Sequence, residues 1–177
     1  MHAYEIAAVL RERNKQASVR LNYGSLYSVI GSLERRALIK RSQTSRAGRL
    51  PERTVYSITD AGAIEMRDWL SALIATPTRD YTAFEAGLSF LPALPPDRAR
   101  ELLSTRAEQL ERESASRQGS RGLLDSTEVP RIFWIEEEYR DSLRTTELNY
   151  IRRLINDIDE GLLDGIDWWH QIHDERE

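Results

Sequence analysis

Apolar residues return with helical spacing at the start of the chain. Across residues 2–14, Ile6, Val9 and Leu10 form a stripe with Ala3, Ala7 and Ala8 between them, and the polar run Arg11–Gln16 ends it. Residues 17–21 alternate and predict a brief strand pairing or a turn. A second stripe follows: Leu26, Val29, Ile30 and Leu33 stand at i, i+3, i+4 and i+7, with Asn22 as the expected N-cap. Its opposite face carries Ser25, Tyr27, Ser28, Gly31, Ser32 and Arg35 and is small and polar. After Ala37 the period changes. LIKRSQ reads as a strand, Thr44–Glu52 as a loop punctuated by Gly48 and Pro51, and Arg53–Ile58 as a second strand. Thr59 is placed to cap a helix over residues 60–75, with Ile64, Met66, Leu70, Leu73 and Ile74 apolar, and Thr76-Pro77 ends it.

The later half reads as helical throughout. Residues 82–91 place Phe84, Leu88 and Leu91 on one face, and Pro92, Pro95 and Pro96 then break the chain. A charged helix is expected over 97–116, with Asp97 in its first turn, and residues 117–130 are the least ordered stretch on composition. A long helix over 131–160 carries Leu148, Ile151, Ile155, Ile158 and Leu162 in steps of 3 and 4, a seam of coiled-coil type but short. Asp164-Gly165 turns the chain ahead of Trp168-Trp169. The expected fold is mainly α. It comprises an N-terminal winged helix-turn-helix with a two-stranded wing over residues 1–76 and a helical C-terminal domain over 77–177.

Composition narrows the function. The 177 residues include no cysteine, which excludes a disulfide framework, a thiolate metal site and a cysteine nucleophile. No apolar run approaches the roughly 18–20 residues of a membrane span, and the segment MHAYEIAAVL makes a poor signal peptide, so a cytoplasmic protein with no membrane partner is expected. The net charge of −4 conceals a polarity. From Arg11 to Arg53, eleven basic residues face three acidic ones, a net +8 that leaves −12 for the remainder. A basic module joined to an acidic one suits a reader of polyanions with a partner-facing second part. Ordinary solvated charge is the plainer reading of the same count.

Catalytic chemistry finds little footing. His170 and His173 stand at i, i+3, but a metal site needs further ligands from a second element, so neither metal nor cofactor is expected. Glu136, Glu137 and Glu138 form a run that faces three directions, as a solvated helix face does. GSLYSVIG lacks the lysine and the preceding strand of a phosphate loop, and Ser25 has no histidine within sequence reach. No enzyme activity is expected. Nucleic acid is the better fit. In a helix-turn-helix the second helix enters the major groove with its N-terminal residues on base edges. Here those residues are Tyr23, Ser25, Tyr27 and Ser28, with Ser32 and Arg35 further along, and the loop arginines Arg46, Arg49 and Arg53 reach for flanking phosphates or a narrow minor groove. A winged helix used for protein contact, no longer binding DNA, is the alternative.

The segments MHAYEI, GSLY, SLERRALI, RLPERTVY and ITDAG occur in that order and at fitting spacings over residues 1 to about 75. The chain thereby resembles the PadR family of bacterial transcription regulators, whose signature runs "hGYEI", "GsLY…L.rLe..GLI" and "R.R..Y.LT..G". The resemblance implies a homodimer that binds double-stranded DNA at a pseudo-palindromic operator and represses, the helical C-terminal part making the dimer. It also implies release by a small aromatic effector, for which Phe133, Trp134, Tyr139, Trp168 and Trp169 are the candidate lining. Aromatic core and dimer packing is the plainer role for each of these five. Three departures stand out. The chain starts at the position of the family's second helix, so the resemblance implies a further helix packed on Ile6, Leu26 and Leu33, supplied from upstream or replaced there by a C-terminal or partner helix. Ala3 and Ala37 occupy positions where glycine is usual. Ser28 and Gly31 replace basic or larger residues, which implies an operator unlike that of typical members.

Overall fold

The computed structural model describes residues 2–13, 15, 18–19, 23–45, 53–125 and 130–174, and the chain divides into two compact units, residues 1–79 and 80–177. Unit 1 holds α1 (Ala3–Glu12), α2 (Tyr23–Arg35), β1 (Ile39–Ser45), β2 (Arg53–Ile58) and α3 (Asp60–Ala75). Unit 2 holds α4 (Ala83–Ser89), α5 (Pro96–Asp125), α6 (Ile135–Asp159) and α7 (Ile166–Asp174), with 3-10 turns at Leu91–Ala93 and Arg131–Phe133. Asn22, the expected cap, and Ala17, Arg20 and Leu21 lie outside the described residues.

In unit 1, α1 packs on α2, but two details differ from the stripes read in sequence: Val29 is 50% exposed, and the most buried residue of α1 is Ala7, from between the stripe positions. Ala7 is 1% exposed and Ile30 5% exposed, while Ile6, Leu26 and Leu33 are half-buried. The C-terminus of α2 closes in a Schellman motif: Leu38 N–H donates to Leu33 O at 2.9 Å and Ala37 N–H to Glu34 O at 2.9 Å. The motif demands a left-handed residue, and Ala37 supplies it with φ +55°. α6 ends in the same motif, with Gly161 at the equivalent position (φ +66°), Leu162 N–H bonded to Asp157 O and Gly161 N–H to Ile158 O. An L-side chain in that conformation costs about 1–2 kcal/mol. Ala37→Gly is therefore expected to stabilise unit 1 by about 1 kcal/mol in thermal or urea unfolding. A variant melting below the unaltered protein would show that Ala37 is unstrained.

From that turn β1 runs out and β2 returns antiparallel, Ile39 opposite Ile58 and Ser45 opposite Arg53, with a register irregularity between Arg41 and Gln43. β1 extends to Ser45, beyond the strand expected from sequence. The hinge between wing and α3 is built on Thr59. Its hydroxyl accepts from Gly62 N–H at 3.0 Å, the N-cap bond of α3, and lies 2.8 Å from Ala37 O, to which it donates. Thr59 N–H donates to Leu38 O at 3.0 Å. One residue thus ties three elements together. Charge pairs reinforce the frame: Arg41 reaches Glu34 with two bonds, 2.7 and 3.3 Å, and Arg36 reaches Glu65 at 2.9 Å.

Unit 2 is an antiparallel pair, α5 against α6, closed at one end by α4 and α7. Ala99, Leu103 and Ala107 of α5 meet Ile151, Leu154 and Ile158 of α6 and Ile166 and Trp169 of α7 in one buried cluster. Ala99, Leu103 and Ala107 recur at steps of four and so share one face of α5. Phe84, Leu88 and Leu91 pack on the cluster, as their shared face suggests. Among the described residues, four ion pairs run between the long helices: Arg100–Asp159, Arg106–Glu147, Arg152–Glu111 and Arg144–Glu113. Each partner falls near the other in an antiparallel register, so the charges favour that alignment over slipped ones. The hydrogen bond from Arg100, with its charge, holds the Asp159 carboxyl below the usual carboxylate range. Since the folded value is the lower one, this contact stabilises the fold above that range and its contribution is lost as pH falls through the folded value. Arg106 also lies over the Phe84 ring, 4.1 Å from its centroid, joining α4 to the pair.

Two expectations for this half change. The helix expected over 97–116 continues to Asp125, through RQGSRGLLD, which composition marked as irregular. The seam on α6 is also displaced. Leu154 is buried, Leu148 and Ile155 only flank the core, and Leu162 lies beyond the helix end, exposed. A short stripe with steps of 3 and 4 fits two neighbouring faces equally well, and the position of α5 and α7 selects between them.

Candidate nucleic-acid interface

The outward face of α2 carries most of the contact residues expected from sequence. Gly24, Ser25, Tyr27, Ser28 and Arg35 are exposed, Tyr27 at 71%, and Ser32 is half-buried. The buried face is occupied by Ile30, with Leu26 and Leu33 half-buried beside it, which turns these positions outward by the 100° step of the helix. Ser28 Oγ donates to Ser25 O at 2.7 Å, so its lone pairs remain to accept from a partner. A Cβ placed on Gly31 would meet Arg35 Nη1 at 3.6 Å. The guanidinium thus folds back along the outer face instead of extending past the helix end. No acidic side chain stands in the first turn of α2, so the positive end of the helix dipole is left for an anion.

The wing adds charge beside this face. Lys40 and Arg41 are exposed on β1. The Glu34 hydrogen bond and charge, with Tyr56 nearby, raise the Arg41 pKa above its already high value, so it is a fixed cation. Arg53 opens β2 opposite Ser45. The side chains of Tyr23 and Arg53, and the whole of Arg46 and Arg49, lie outside the described residues. Lys40 and Arg36 belong to the basic segment without standing in a motif of their own. The alternation Ile39, Lys40, with the apolar residue only half-buried, is the signal that places Lys40 at the wing root.

The aromatic candidates for an effector site are spread over different settings. Trp169 is 4% exposed, a member of the unit 2 core, and its indole N–H donates to Leu94 O at 2.8 Å. Trp134 is half-buried, whereas Phe133, Tyr139 and Trp168 are exposed. A shallow groove on α6 of about 560 Å³ is lined by Glu138, Asp141, Ser142, Thr145 and Thr146, none of them aromatic. His173 Nε2 lies 3.0 Å from Pro92 O, holding α7 to the turn after α4. No cluster of metal-ligating side chains occurs among the described residues, and none of their helices is long and apolar enough to cross a membrane.

A helical pair presenting one polar face, followed by a two-stranded hairpin and a capped third helix, defines a winged helix-turn-helix. Residues 1–68 match the family model described as the transcriptional regulator PadR-like family. Among solved structures the chain is similar to Bacillus subtilis PadR in complex with operator DNA, at 19% identity and a TM-score of 0.72, with 89% of each chain covered. Bacillus subtilis PadR in a second crystal structure has 17% identity and a TM-score of 0.68, over 90% of this chain and 87% of that one. A PadR-like transcriptional regulator from Bacillus cereus has 16% identity and a TM-score of 0.56, over 89% of this chain and 87% of that one. Comparison with curated proteins gives no match.

Proposed function

We propose that this protein is a cytoplasmic, sequence-specific DNA-binding transcriptional regulator. It acts as a homodimer on a pseudo-palindromic operator, represses, and is released by a small aromatic effector. Residues 1–76 read DNA and residues 77–177 dimerise. The observation that carries the reading is the small, hydroxyl-rich outer face of α2, with the Arg35 guanidinium laid across it, in a unit whose hairpin wing is fixed to the same frame through Thr59. Ser25, Tyr27, Ser28 and Ser32 suit base edges and phosphates, and Tyr23, Arg35, Arg46, Arg49 and Arg53 complete the contact set. Dimerisation by the C-terminal part is supported by the apolar surface it exposes at the start of α6, where Ile132, Phe133, Ile135, Tyr139 and Leu143 are all open to solvent.

The test is an electrophoretic shift of the full-length protein on the DNA upstream of its own gene, repeated across salt concentrations. A sequence-dependent shift is expected, and its absence sinks the reading. Arg49→Ala is expected to weaken binding evenly across sequences and to reduce the salt slope by about one ion. A change confined to base preference would move Arg49 from phosphate to base. Sedimentation of the free protein checks the dimer, and a sharp monomer at micromolar concentration would overturn it.

A further inference from the structure

The wing is a two-stranded hairpin, and a lone hairpin is marginal in water. Its root is secured at Leu38, Ile39 and Ile58 by the Thr59 hinge. Thr54 lies roughly 13 Å further out along β2 at the usual strand rise. There a second attachment occurs. His2 Nδ1 lies 3.0 Å from Thr54 O, a part-buried contact that spans 52 residues of chain. A carbonyl only accepts, so Nδ1 carries the hydrogen and donates it. The backbone of His2 is itself held, because its N–H donates to Glu5 Oε2 at 2.7 Å. The neighbouring carbonyl, Val55 O, accepts from Ser42 Oγ at 3.2 Å beside the register irregularity of β1. The contacts therefore run from the outer part of β2 through His2 to the start of α1, and α1 packs on α2.

We propose that His2 is a positioning residue for DNA reading, one that sets the distance between the wing and the reading helix. The proposal rests on the DNA-binding function argued above. A hairpin anchored only at its root swings about it, and phosphate contacts made from a swinging wing lose the advantage of being placed in advance. Arg53 is the residue next to the anchored carbonyl and stands to gain most from the second anchor.

The decisive comparison uses the full-length chain with His2→Ala, His2→Asn and His2→Gln. Asparagine Nδ2 stands where imidazole Nδ1 stands, whereas glutamine carries its amide one bond further out. His2→Ala and His2→Gln are expected to bind a specific operator fragment roughly threefold to tenfold more weakly, the worth of one hydrogen bond, and His2→Asn to restore it. With Arg46, Arg49 and Arg53 already changed to alanine, the loss on changing His2 should vanish, because nothing remains for the anchor to position. Amide hydrogen exchange supplies a readout free of DNA. The rungs Thr44–Thr54 and Ser45–Arg53 should exchange faster in His2→Ala and His2→Gln, with Ile39–Ile58 and α2 unchanged.

Equal protection of the far rungs in all variants overturns the proposal. So does a loss of affinity that persists without the wing arginines, or a failure of asparagine to restore binding where glutamine and asparagine variants fold alike. If the unaltered protein shows no sequence-dependent binding, the DNA-reading function fails. The exchange measurement then decides by itself whether His2 positions the wing.

Discussion

Gly62→Ala is expected to unfold unit 1 or to lower its stability by about 3 kcal/mol, near the upper end for overpacking. A Cβ at this position would lie 2.0 Å from Leu38 O, 2.9 Å from Leu38 C and 3.0 Å from Ile58 Cγ1. Neither backbone atom is free to retreat. Leu38 O accepts from Thr59 N–H at 3.0 Å, and Leu38 N–H closes the Schellman motif of α2. Relief would require α3 to move off the wing root, breaking the N-cap bond from Gly62 N–H to Thr59 Oγ1. The strain is local packing, not backbone conformation, so no other residue type suits. Circular dichroism melts of Gly62→Ala should show loss of the unit 1 transition, with operator binding lost alongside. Ala61→Ser, one residue earlier and exposed, should stay within about 0.5 kcal/mol of the unaltered protein. A Gly62→Ala protein that melts as the unaltered chain does would disprove the close contact.

Trp169→Ala should be the most damaging change in unit 2, by about 3–5 kcal/mol in urea unfolding. The side chain joins α7 to a core supplied by Ala99, Leu103 and Ala107 on α5 and by Ile151, Leu154 and Ile158 on α6. Its indole N–H donates to Leu94 O, fixing the turn that leads into α5. Trp169→Phe keeps most of the apolar contact and loses that bond, so a smaller loss of about 1–2 kcal/mol is expected. Trp168→Ala, at an exposed position, should change stability little. The order Trp169→Ala, Trp169→Phe, Trp168→Ala is the discriminating result. Equal effects at 168 and 169 would show that the two indoles share one environment, as an effector pocket lined by both requires.

Much of unit 1 was legible before folding. The stripe Leu26, Val29, Ile30 and Leu33 assigned the inward face of α2, save for Val29, which is exposed, and its small polar complement marked the outward face. The switch to strand period after Ala37 and the threonine before α3 set the order of wing and helix. These signals are local: periodicity, caps and turn residues act within a few positions of themselves. Unit 2 was less legible where alternatives were close in sequence terms. The seam on α6 had two candidate faces, and Leu162 was drawn into it although the helix stops at Asp159. RQGSRGLLD has poor helix propensity in two glycines, yet continues α5 in one unbroken run. Trp168 and Trp169 are neighbours in type and position, and nothing local says which is buried.

The same division holds for the functional residues. Gly62 is visible in sequence only as part of a threonine-x-x-glycine start to a helix. Its necessity arises from Leu38, whose carbonyl the turn after α2 brings against it. His2 belongs to the MHAYEI segment, and only the return of β2 brings Thr54 O to its ring. The sequence by itself determined the element order, the polar face of α2 and the basic wing segment, because each follows from short-range geometry and side-chain chemistry. Tertiary structure decided which face of α6 is buried, which tryptophan is core, why position 62 admits no side chain and what holds the outer wing. Those outcomes depend on contacts between residues tens of positions apart, whose meeting is set by how the elements pack.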